Sequence, residues 1–265
     1  MSDKPEGLGR EVLYEVIDDH IAVVTLNRPE ARNAVNVPLA EAMDYLVKQI
    51  EGDASIRVAI LTSSNDRVFC AGADLGEISK GRARLLQTAE GGMAGFTHSP
   101  RSKPWIAAVK GHALAGGCEL VLACDMIVAA ENAQFGLPEV KRGLLAAGGG
   151  VYRLPRRLPR NIAFELIATG DSFDAQRAAA LGFVNRLVAP DKVLDAALDL
   201  GRLIAANAPL AVQQSLLIAR QYADHSDAEL RAISDRESAS VFASEDAKEG
   251  PRAFFEKRKP VWSGR

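Results

Sequence analysis

The stretch from Pro104 to Glu139, PWIAAVKGHALAGGCELVLACDMIVAAENAQFGLPE, guides the interpretation of the whole chain. Its pattern predicts, in order, a buried strand at 105–109, a glycine turn, a short apolar helix at 116–124, a second strand at 126–130 and a loop. Glu119 falls inside the apolar helix and Glu139 at the tip of the loop. A carboxylate in apolar surroundings costs free energy unless a partner stabilises it or its pKa rises. Since either outcome suits general acid–base chemistry, this pair is our candidate active site.

Two glycine turns in the sequence are candidates for binding a substrate oxygen. The segment Ala115-Gly116-Gly117 opens the apolar helix, where the first N–H groups lack intrahelical partners. The segment FCAGADL (69–75) has the same order of strand, glycine turn and helix start at Asp74. Two such turns can supply two converging N–H donors, which form an oxyanion hole.

Each of these features also has a purely structural interpretation. Glu119 can cap its own helix, and Glu139 can be a solvated loop residue. Paired glycines before a helix are equally typical of a tight turn, and Asp74 has the residue type of a helix cap. The residue types alone therefore do not decide between a catalytic site and ordinary folding signals.

Bulk composition indicates a globular chain without an obvious charged partner. The 265 residues suffice for one large or two modest domains, and 48% hydrophobic with 25% charged residues is typical of a globular protein. A net charge of −2 gives no electrostatic reason to expect nucleic acid or an anionic membrane as partner. The longest apolar stretch, 104–130, contains Lys110, Glu119 and Asp125, which predicts buried core rather than a membrane span.

Targeting signals and cysteine usage predict a cytoplasmic protein. The N-terminus MSDKPEGLGR has no apolar region of a signal peptide. The three cysteines form no CxxC pair, which suits a reducing compartment and argues against structural zinc. Phosphate-binding and dinucleotide motifs fail, HExxH and GxSxG are absent, and the four histidines are far apart. We therefore expect no metal and no nicotinamide cofactor.

The remaining pattern predicts an α/β fold. Strands at 12–16 and 21–26 flank a turn at Asp18-Asp19, a helix runs from Pro38 to Gly52, and a strand follows at 56–62. A helix beginning at 148–150 should end at Pro155, and from Pro190 onward only helices are predicted, the last at 251–258. Two strands and a helix recur along the chain, which favours stacked ββα units over a flat doubly wound sheet.

Taken together, the motifs resemble the crotonase (enoyl-CoA hydratase/isomerase) family. The matching segments are LNRPEARNAV (26–35), FCAGADL (69–75), KPWIAAVKGHALAGGCELVLACD (103–125), AQFGLPEVKRGLL (133–145), GGGVYRL (148–154) and FFEKRKPVW (254–262). They occur in the order typical of the family and cover nearly the whole chain. This resemblance is much more specific than any single motif and favours the catalytic interpretation of the two glutamates.

The resemblance implies a spiral of stacked ββα units at 1–200 that carries the CoA-binding and catalytic site. A helical region at 201–265 would mediate trimers, or hexamers formed from two trimers. The implied substrate is an acyl-CoA thioester of the kind found in fatty acid metabolism, with coenzyme A as part of the substrate and no separate cofactor. The implied activity is that of a hydro-lyase, an enoyl-CoA hydratase that adds water reversibly across the 2,3 double bond.

The resemblance also assigns roles to residues of this sequence. The oxyanion-hole amides would be those of Ala73 and Gly116, and the acid–base pair would be Glu119 and Glu139. The residues placed along the CoA chain are Arg32, Ala34, Ala71, Gly72, Asp74 and Leu75. At the nucleotide end, Phe254 and Lys257 would approach from the C-terminal helix, which can belong to a neighbouring subunit.

Some segments depart from the general hydratase pattern and leave alternatives open. The loop after Glu139 reads GLLAAGGG, where many hydratases have a proline and one small residue before paired glycines. The segments LPEVKRGLL, GGGVYRLPRRLP and 244–265 resemble carnitinyl-CoA dehydratases, which hydrate crotonobetainyl-CoA. Because a quaternary ammonium usually requires an aromatic or acidic cage, and only Phe96 and Trp105 are aromatic near the substrate region, we favour the general enoyl-CoA substrate. A catalytically inactive acyl-CoA-binding homologue is a further alternative.

Overall fold

Two main sheets, linked by strands that alternate between them, organise the protein in a computed structural model that describes residues 9–265. Within this range the strands are β1 (Val12–Ile17), β2 (Ile21–Leu26), β3 (Val58–Ser63), β4 (Val68–Cys70), β5 (Gln87–Thr88), β6 (Gly92–Met93), β7 (Trp105–Val109), β8 (His112–Leu114), β9 (Met126–Ala130), β10 (Gln134–Gly136), β11 (Ser172–Asp174) and β12 (Arg186–Val188). The α-helices are α1 (Val37–Gly52), α2 (Leu75–Ser79), α3 (Gly116–Ala123), α4 (Gly150–Arg157), α5 (Arg160–Thr169), α6 (Ala175–Ala180), α7 (Val193–Ala205), α8 (Pro209–Ala219), α9 (Asp227–Phe242) and α10 (Glu245–Phe255).

The strand order shows the spiral predicted from the sequence. One sheet has the order β1-β2-β3-β7-β9-β12, in which only the β1–β2 pair is antiparallel. The other has the order β11-β10-β8-β4. Three pairs of consecutive strands are each divided between the two sheets, with the first strand in the six-stranded sheet and the second in the four-stranded one. These pairs are β3 and β4, β7 and β8, and β9 and β10. The chain therefore winds in repeated turns rather than building one flat sheet.

The core lies around the central parallel strands. All residues of β3 and β7 are buried, as expected for parallel strands covered on both faces. Helix α1 buries Leu39, Met43, Leu46 and Ile50 along one face, and α7 packs against β3, β7 and β9. This packing fixes the carboxyl ends of the strands, from which the loops of the candidate site emerge.

The hairpin predicted at Asp18-Asp19 is present. Strands β1 and β2 pair in register from Val12 opposite Leu26 to Ile17 opposite Ile21. Both aspartates adopt positive φ angles, 51° and 61°, a conformation that Asp tolerates better than most residues.

Two helix boundaries differ from the sequence-based prediction, in both cases at a proline. The prediction that Pro155 ends its helix was wrong, because α4 continues to Arg157 and the N–H of Leu158 still bonds to the Leu154 carbonyl. The prediction that the last helix starts at 251 was also wrong, since α10 begins at Glu245 and contains Pro251. The hydroxyl of Ser244 caps that helix by accepting the Ala247 N–H, a start signal that the sequence analysis missed.

The C-terminal helices are attached to the sheet by polar contacts. The Arg220 guanidinium, just after α8, forms a two-pronged ion pair with Asp125 at 2.8 Å and donates to the Lys103 carbonyl. Helix α7 runs through the predicted boundary at residue 200, so the division into 1–200 and 201–265 stays a prediction. No helix in the described part of the chain combines the length and apolar character needed to cross a membrane.

Candidate active site

Glu119 is a buried carboxylate in the first turn of α3. Its side chain is 3% exposed, and Oε1 accepts the Gly150 N–H at 2.9 Å. Burial, together with the negative charge of Glu139, raises the pKa of Glu119 to about 7, although the amides of Gly150 and Gly148 oppose the shift. A carboxyl group with this pKa can take up or release a proton near neutral pH.

Glu139 lies in the 3-10 turn Pro138–Arg142, which follows β10. It is partly buried, and burial raises its pKa although Arg142 opposes the shift. Within residues 9–265, its Oε2 atom is buried without a hydrogen-bond partner. Because a buried carboxylate oxygen normally has a partner, this atom is suited to contact a bound molecule.

The amides of Ala73 and Gly116 are arranged as donors beside the two carboxylates. Around Ala73, the Gly72 carbonyl and the Asp74 N–H both bond to Val35, so the Ala73 N–H points to the opposite side. Gly116 is the first residue of α3, where an N–H has no intrahelical acceptor. The two turns selected from the sequence are thus brought together.

Close backbone packing fixes the two turns against each other. A Cβ on Gly72 would lie 2.9 Å from both the Gly116 nitrogen and the Ala115 Cβ, and its φ of +92° also favours glycine. Ala115 itself has φ 53° and ψ −129°, a sparsely populated conformation for a non-glycine residue. The surrounding structure therefore holds the Gly116 amide in a defined direction.

These groups face one cavity of about 620 Å³. Its walls are mainly aliphatic, with two arginines and no aromatic side chain among the described lining residues, which are Arg32, Ala71, Ala73, Leu75, Ile78, Ala83, Leu86, Gln87, Met93, Leu114, Ala115, Gly116, Glu119, Pro138, Glu139, Arg142, Leu144, Leu145, Ala147 and Gly148. An apolar group can therefore lie beside the two carboxylates and the two amide donors.

The predicted CoA-binding residues divide between the cavity and its support. Arg32, Ala71 and Leu75 line the cavity. Asp74 lies behind it, paired with Arg28 at 3.0 Å and accepting the Gly76 N–H at 2.9 Å as the cap of α2. Ala34 and Gly72 also support the cavity from behind, where the Ala34 carbonyl accepts a hydrogen bond from the Arg28 guanidinium and the Gly72 carbonyl accepts one from the Val35 N–H.

Phe254 and Lys257 lie apart from this cavity. Phe254 is 79% exposed near the end of α10, and Lys257 is exposed just beyond that helix. Neither residue lines the cavity of its own chain. A role for them at this cavity would require the helix of another copy.

The structure adds residues that the sequence analysis did not assign to the site. Arg142 and Leu144 line the cavity, and the glycines at 148–150 enclose the Glu119 carboxylate. The sequence contains a signal for these glycines, because three consecutive glycines at the start of a helix are unusual. Within residues 9–265, no group of three or more His, Cys, Asp or Glu side chains is placed to hold a metal ion.

Comparison with known proteins identifies the family. The family model described as enoyl-CoA hydratase/isomerase matches residues 17–265. The chain belongs to this family. It is similar to a curated "carnitinyl-CoA dehydratase" of Proteus mirabilis (strain HI4320), with 42% identity over 247 residues, 91% of this chain and 94% of that protein.

Solved structures of family members superpose on the chain. An "enoyl-CoA hydratase from Mycobacterium tuberculosis H37Rv" has a TM-score of 0.92 and 47% identity, covering 97% of this chain and 100% of that one. A "carnitinyl-CoA hydratase from Mycobacterium avium" has a TM-score of 0.75 and 42% identity, with the same coverage. The predicted crotonase family and fold are confirmed, and the predicted hydro-lyase class agrees with the names of these relatives.

Proposed function

We propose that this protein hydrates the 2,3 double bond of an enoyl-CoA thioester, and that Glu119 and Glu139 are its acid–base pair. The observation that carries the proposal is the placement of two carboxyl groups with raised pKa values, buried Glu119 and partly buried Glu139, beside the Ala73 and Gly116 amides in one cavity. Water addition needs one group to accept a proton, one to donate a proton, and donors for the oxyanion that forms between these steps.

The proposed reaction uses each group once. The thioester carbonyl accepts hydrogen bonds from the Ala73 and Gly116 amides, which polarise the conjugated double bond. Glu119 takes a proton from the water molecule as its oxygen bonds to C3, and Glu139 gives a proton to C2 as the enolate collapses. The active pair thus holds one proton in total, and dehydration reverses both transfers. The amide contacts accelerate the reaction because they are stronger with the enolate than with the substrate.

The aliphatic cavity wall supports an uncharged acyl group. A trimethylammonium group is usually bound against aromatic faces or acidic side chains. Here Leu75, Ile78, Leu86 and Met93 contribute apolar surface, and the two acidic side chains are already needed for proton transfer. We therefore propose general 2-enoyl-CoA thioesters, as in fatty acid metabolism, as the substrates.

A second candidate is hydration of crotonobetainyl-CoA. The 42% identity to a curated carnitinyl-CoA dehydratase over 91% of the chain favours it. The same two glutamates and two amides would serve, because the two substrates share the reacting enoyl-thioester. The candidates differ only in the group that occupies the apolar part of the cavity.

Further parts of the proposal concern assembly and location. We propose a homotrimer or a hexamer, because Phe242, Phe254 and Phe255 on the C-terminal helices are 76%, 79% and 81% exposed. In such an assembly Phe254 and Lys257 would approach the CoA nucleotide of a neighbouring subunit, where Lys257 would pair with a phosphate. We further propose a cytoplasmic protein without a cofactor other than the coenzyme A of its substrate.

The test is a hydration assay on a substrate panel. Loss of enoyl-thioester absorbance would be followed with crotonyl-CoA, a long-chain 2-enoyl-CoA and crotonobetainyl-CoA. We expect turnover of the uncharged substrates and little with the betaine. Preference for crotonobetainyl-CoA would favour the second candidate, and CoA-ester binding without turnover on any substrate would favour an inactive acyl-CoA-binding homologue.

A further inference from the structure

Arg153 connects the loop around Glu119 to the opposite wall of the site. This residue lies on α4, and its guanidinium donates through Nη1 to the Gly148 carbonyl at 2.9 Å and through Nη2 to the Thr97 carbonyl. Gly148 belongs to the loop that encloses Glu119, whereas Thr97 follows the β5–β6 hairpin. One side chain therefore fixes the distance between two segments that are far apart in sequence.

Two of the three glycines at the start of α4 make room for this arrangement, and the third donates its amide to it. A Cβ on Gly148 would lie 2.6 Å from Glu119 Oε2, and one on Gly149 would lie 2.1 Å from Arg153 Nη1. The Gly150 amide donates to Glu119 Oε1 at 2.9 Å. The unusual triple glycine thus allows a carboxylate and a guanidinium to approach the same loop from two sides.

Arg153 is also a positive charge close to Glu119 without a carboxylate partner of its own. Within the described residues, no ion pair includes Arg153, since its hydrogen-bond acceptors are backbone carbonyls. The charge of Glu139, from the Pro138–Arg142 turn, also acts on Glu119, and Arg32 and Arg142 line the same cavity. The positive charge of Arg153 counteracts the burial that raises the pKa of Glu119.

An outer layer of contacts holds the Thr97 end of the bridge. The Thr97 hydroxyl contacts His98 Nδ1 at 3.0 Å, and His98 Nε2 contacts the Tyr152 hydroxyl at 2.7 Å. Burial and the charges of Arg153 and Arg101 lower the pKa of His98, which favours its uncharged ring. Arg153 thus lies between a fixed backbone carbonyl and the glycine loop.

We propose that Arg153 is a positioning residue for Glu119, which aims the glycine loop at the carboxylate and keeps a positive charge beside it. This inference rests on the proposed hydratase function. Arg153 does not line the cavity and would not touch the substrate, so its effect on the reaction would pass through Glu119.

The test compares Arg153→Met with Arg156→Met on the same helix. Arg156→Met removes the same positive charge as Arg153→Met. However, Arg156 pairs with exposed Asp224 and does not contact the glycine loop. In Arg153→Met we expect the Glu119 limb of the kcat profile to move to higher pH by roughly half a pH unit or more, with kcat down about tenfold and KM nearly unchanged. Arg156→Met should behave like the wild type.

Two further variants separate position from charge. Arg153→Lys keeps the charge but not the two-pronged geometry, so it should restore the pH limb more fully than kcat. Gly149→Ala displaces the guanidinium, because the added Cβ would lie 2.1 Å from Nη1. It should move the limb in the same direction as Arg153→Met, but its φ of +113° also strains the loop, so Arg153→Lys provides the test if the Met variant does not fold.

Titration of Glu119 itself separates this inference from the proposed function. With ¹³C-carboxyl-labelled glutamate, the NMR signal that disappears in Glu119→Gln can be followed against pH without any substrate. A higher midpoint in Arg153→Met, and not in Arg156→Met, would support the inference even if no enoyl-CoA is turned over. An unchanged midpoint, or an equal shift in both variants, would overturn it.

Discussion

Opposing interactions set the pKa of the buried Glu119 side chain. Burial raises its pKa to about 7, while the Gly150 amide and the Arg153 charge stabilise the ionised form. Its ordinary pKa is near 4.5, so ionised Glu119 destabilises the folded state by about 3 kcal/mol at ~1.36 kcal/mol per pKa unit. A carboxyl group retained at this cost is more consistent with catalysis than with helix capping.

Because ionised Glu119 destabilises the folded state, Glu119→Gln should stabilise the protein in a pH-dependent way. Since the folded state binds the Glu119 proton more tightly than the unfolded state, stability is lost as pH rises from about 4.5 to about 7. The glutamine escapes this loss, so the variant should gain about 2–3 kcal/mol in unfolding free energy at pH 8 and much less at pH 5. Urea unfolding at fixed protein concentration measures it, with exposed Glu131→Gln as the control. A gain that does not depend on pH would contradict the assigned burial effect.

The amide donors make a second prediction at the residue scale. In Gly72→Ala, the new Cβ would lie 2.9 Å from the Gly116 nitrogen and would push the two turns apart. Loss of one such donor typically costs about 2.7–4 kcal/mol of transition-state stabilisation, so kcat should fall about 10²–10³-fold.

The matched control for Gly72→Ala is Gly182→Ala. Gly182 also has a positive φ, +75°, but a Cβ there would meet no atom within 4 Å. Gly182→Ala should therefore have the conformational strain of an alanine at positive φ but no loss of kcat. Equal rates for the two variants would show that the Ala73 and Gly116 turns do not bind the oxyanion.

At the residue scale, the sequence predicted one candidate site from Glu119, Glu139 and the two glycine turns, although only the family resemblance favoured catalysis over ordinary folding signals. Their signals are local, because a glutamate in an apolar helix and a glycine before a helix can be recognised from neighbouring residues. Arg153 could not be found in this way, since its acceptors at Thr97 and Gly148 depend on tertiary packing.

At the scale of elements, Arg220 joins the end of α8 to the sheet. It pairs with Asp125 at 2.8 Å and donates to the carbonyls of Arg101 and Lys103. Asp125 in turn accepts the Trp105 N–H at the start of β7. Removing Arg220 would leave a poorly hydrated carboxylate without its cation.

We expect Arg220→Met to lower the unfolding free energy by about 1–3 kcal/mol, because it leaves the partly buried Asp125 carboxylate without its cation. Arg156→Met is the control, since Arg156 and Asp224 are 44% and 46% exposed and such pairs contribute about 0–1 kcal/mol. Chemical unfolding of both variants measures the difference. Equal losses would mean that the contact does not hold α8 to the sheet.

Element types were easier to predict than element boundaries. The buried strands β3 and β7 and helix α1 follow directly from apolar patterns. Pro155 and Pro251 were misleading because a proline removes only one backbone donor, and other contacts can maintain the helix around it. For α4, these include the bonds from Arg157 to the carbonyls of Cys124 and Asp125.

At the scale of the whole molecule, the spiral was predictable because the family motifs occur in order along nearly the whole chain. The trimer or hexamer was also predicted from the resemblance and stays a prediction, because the exposed phenylalanines on α9 and α10 of a single chain do not identify what covers them. We expect light scattering to give about three or six times the 28.3 kDa chain mass. A monomer at micromolar concentration would contradict the proposed trimer.

Assembly also predicts the behaviour of Lys257. If it binds a CoA phosphate of a neighbouring subunit, Lys257→Ala should raise KM for the CoA ester several-fold with little change in kcat, since this contact is the same in ground and transition states. Lys259→Ala, two residues away and also exposed, serves as the control. Equal KM values for the two variants would remove Lys257 from the proposed site.

The most direct test of the central claim is hydration by the wild type, Glu119→Gln and Glu139→Gln, each measured together with its affinity for a CoA ester. Acid–base groups typically contribute about 10²–10⁴-fold, so each variant should lose at least two orders of magnitude in kcat while still binding the ester. If both variants turn over enoyl-CoA as fast as the wild type, the two glutamates are not the catalytic pair.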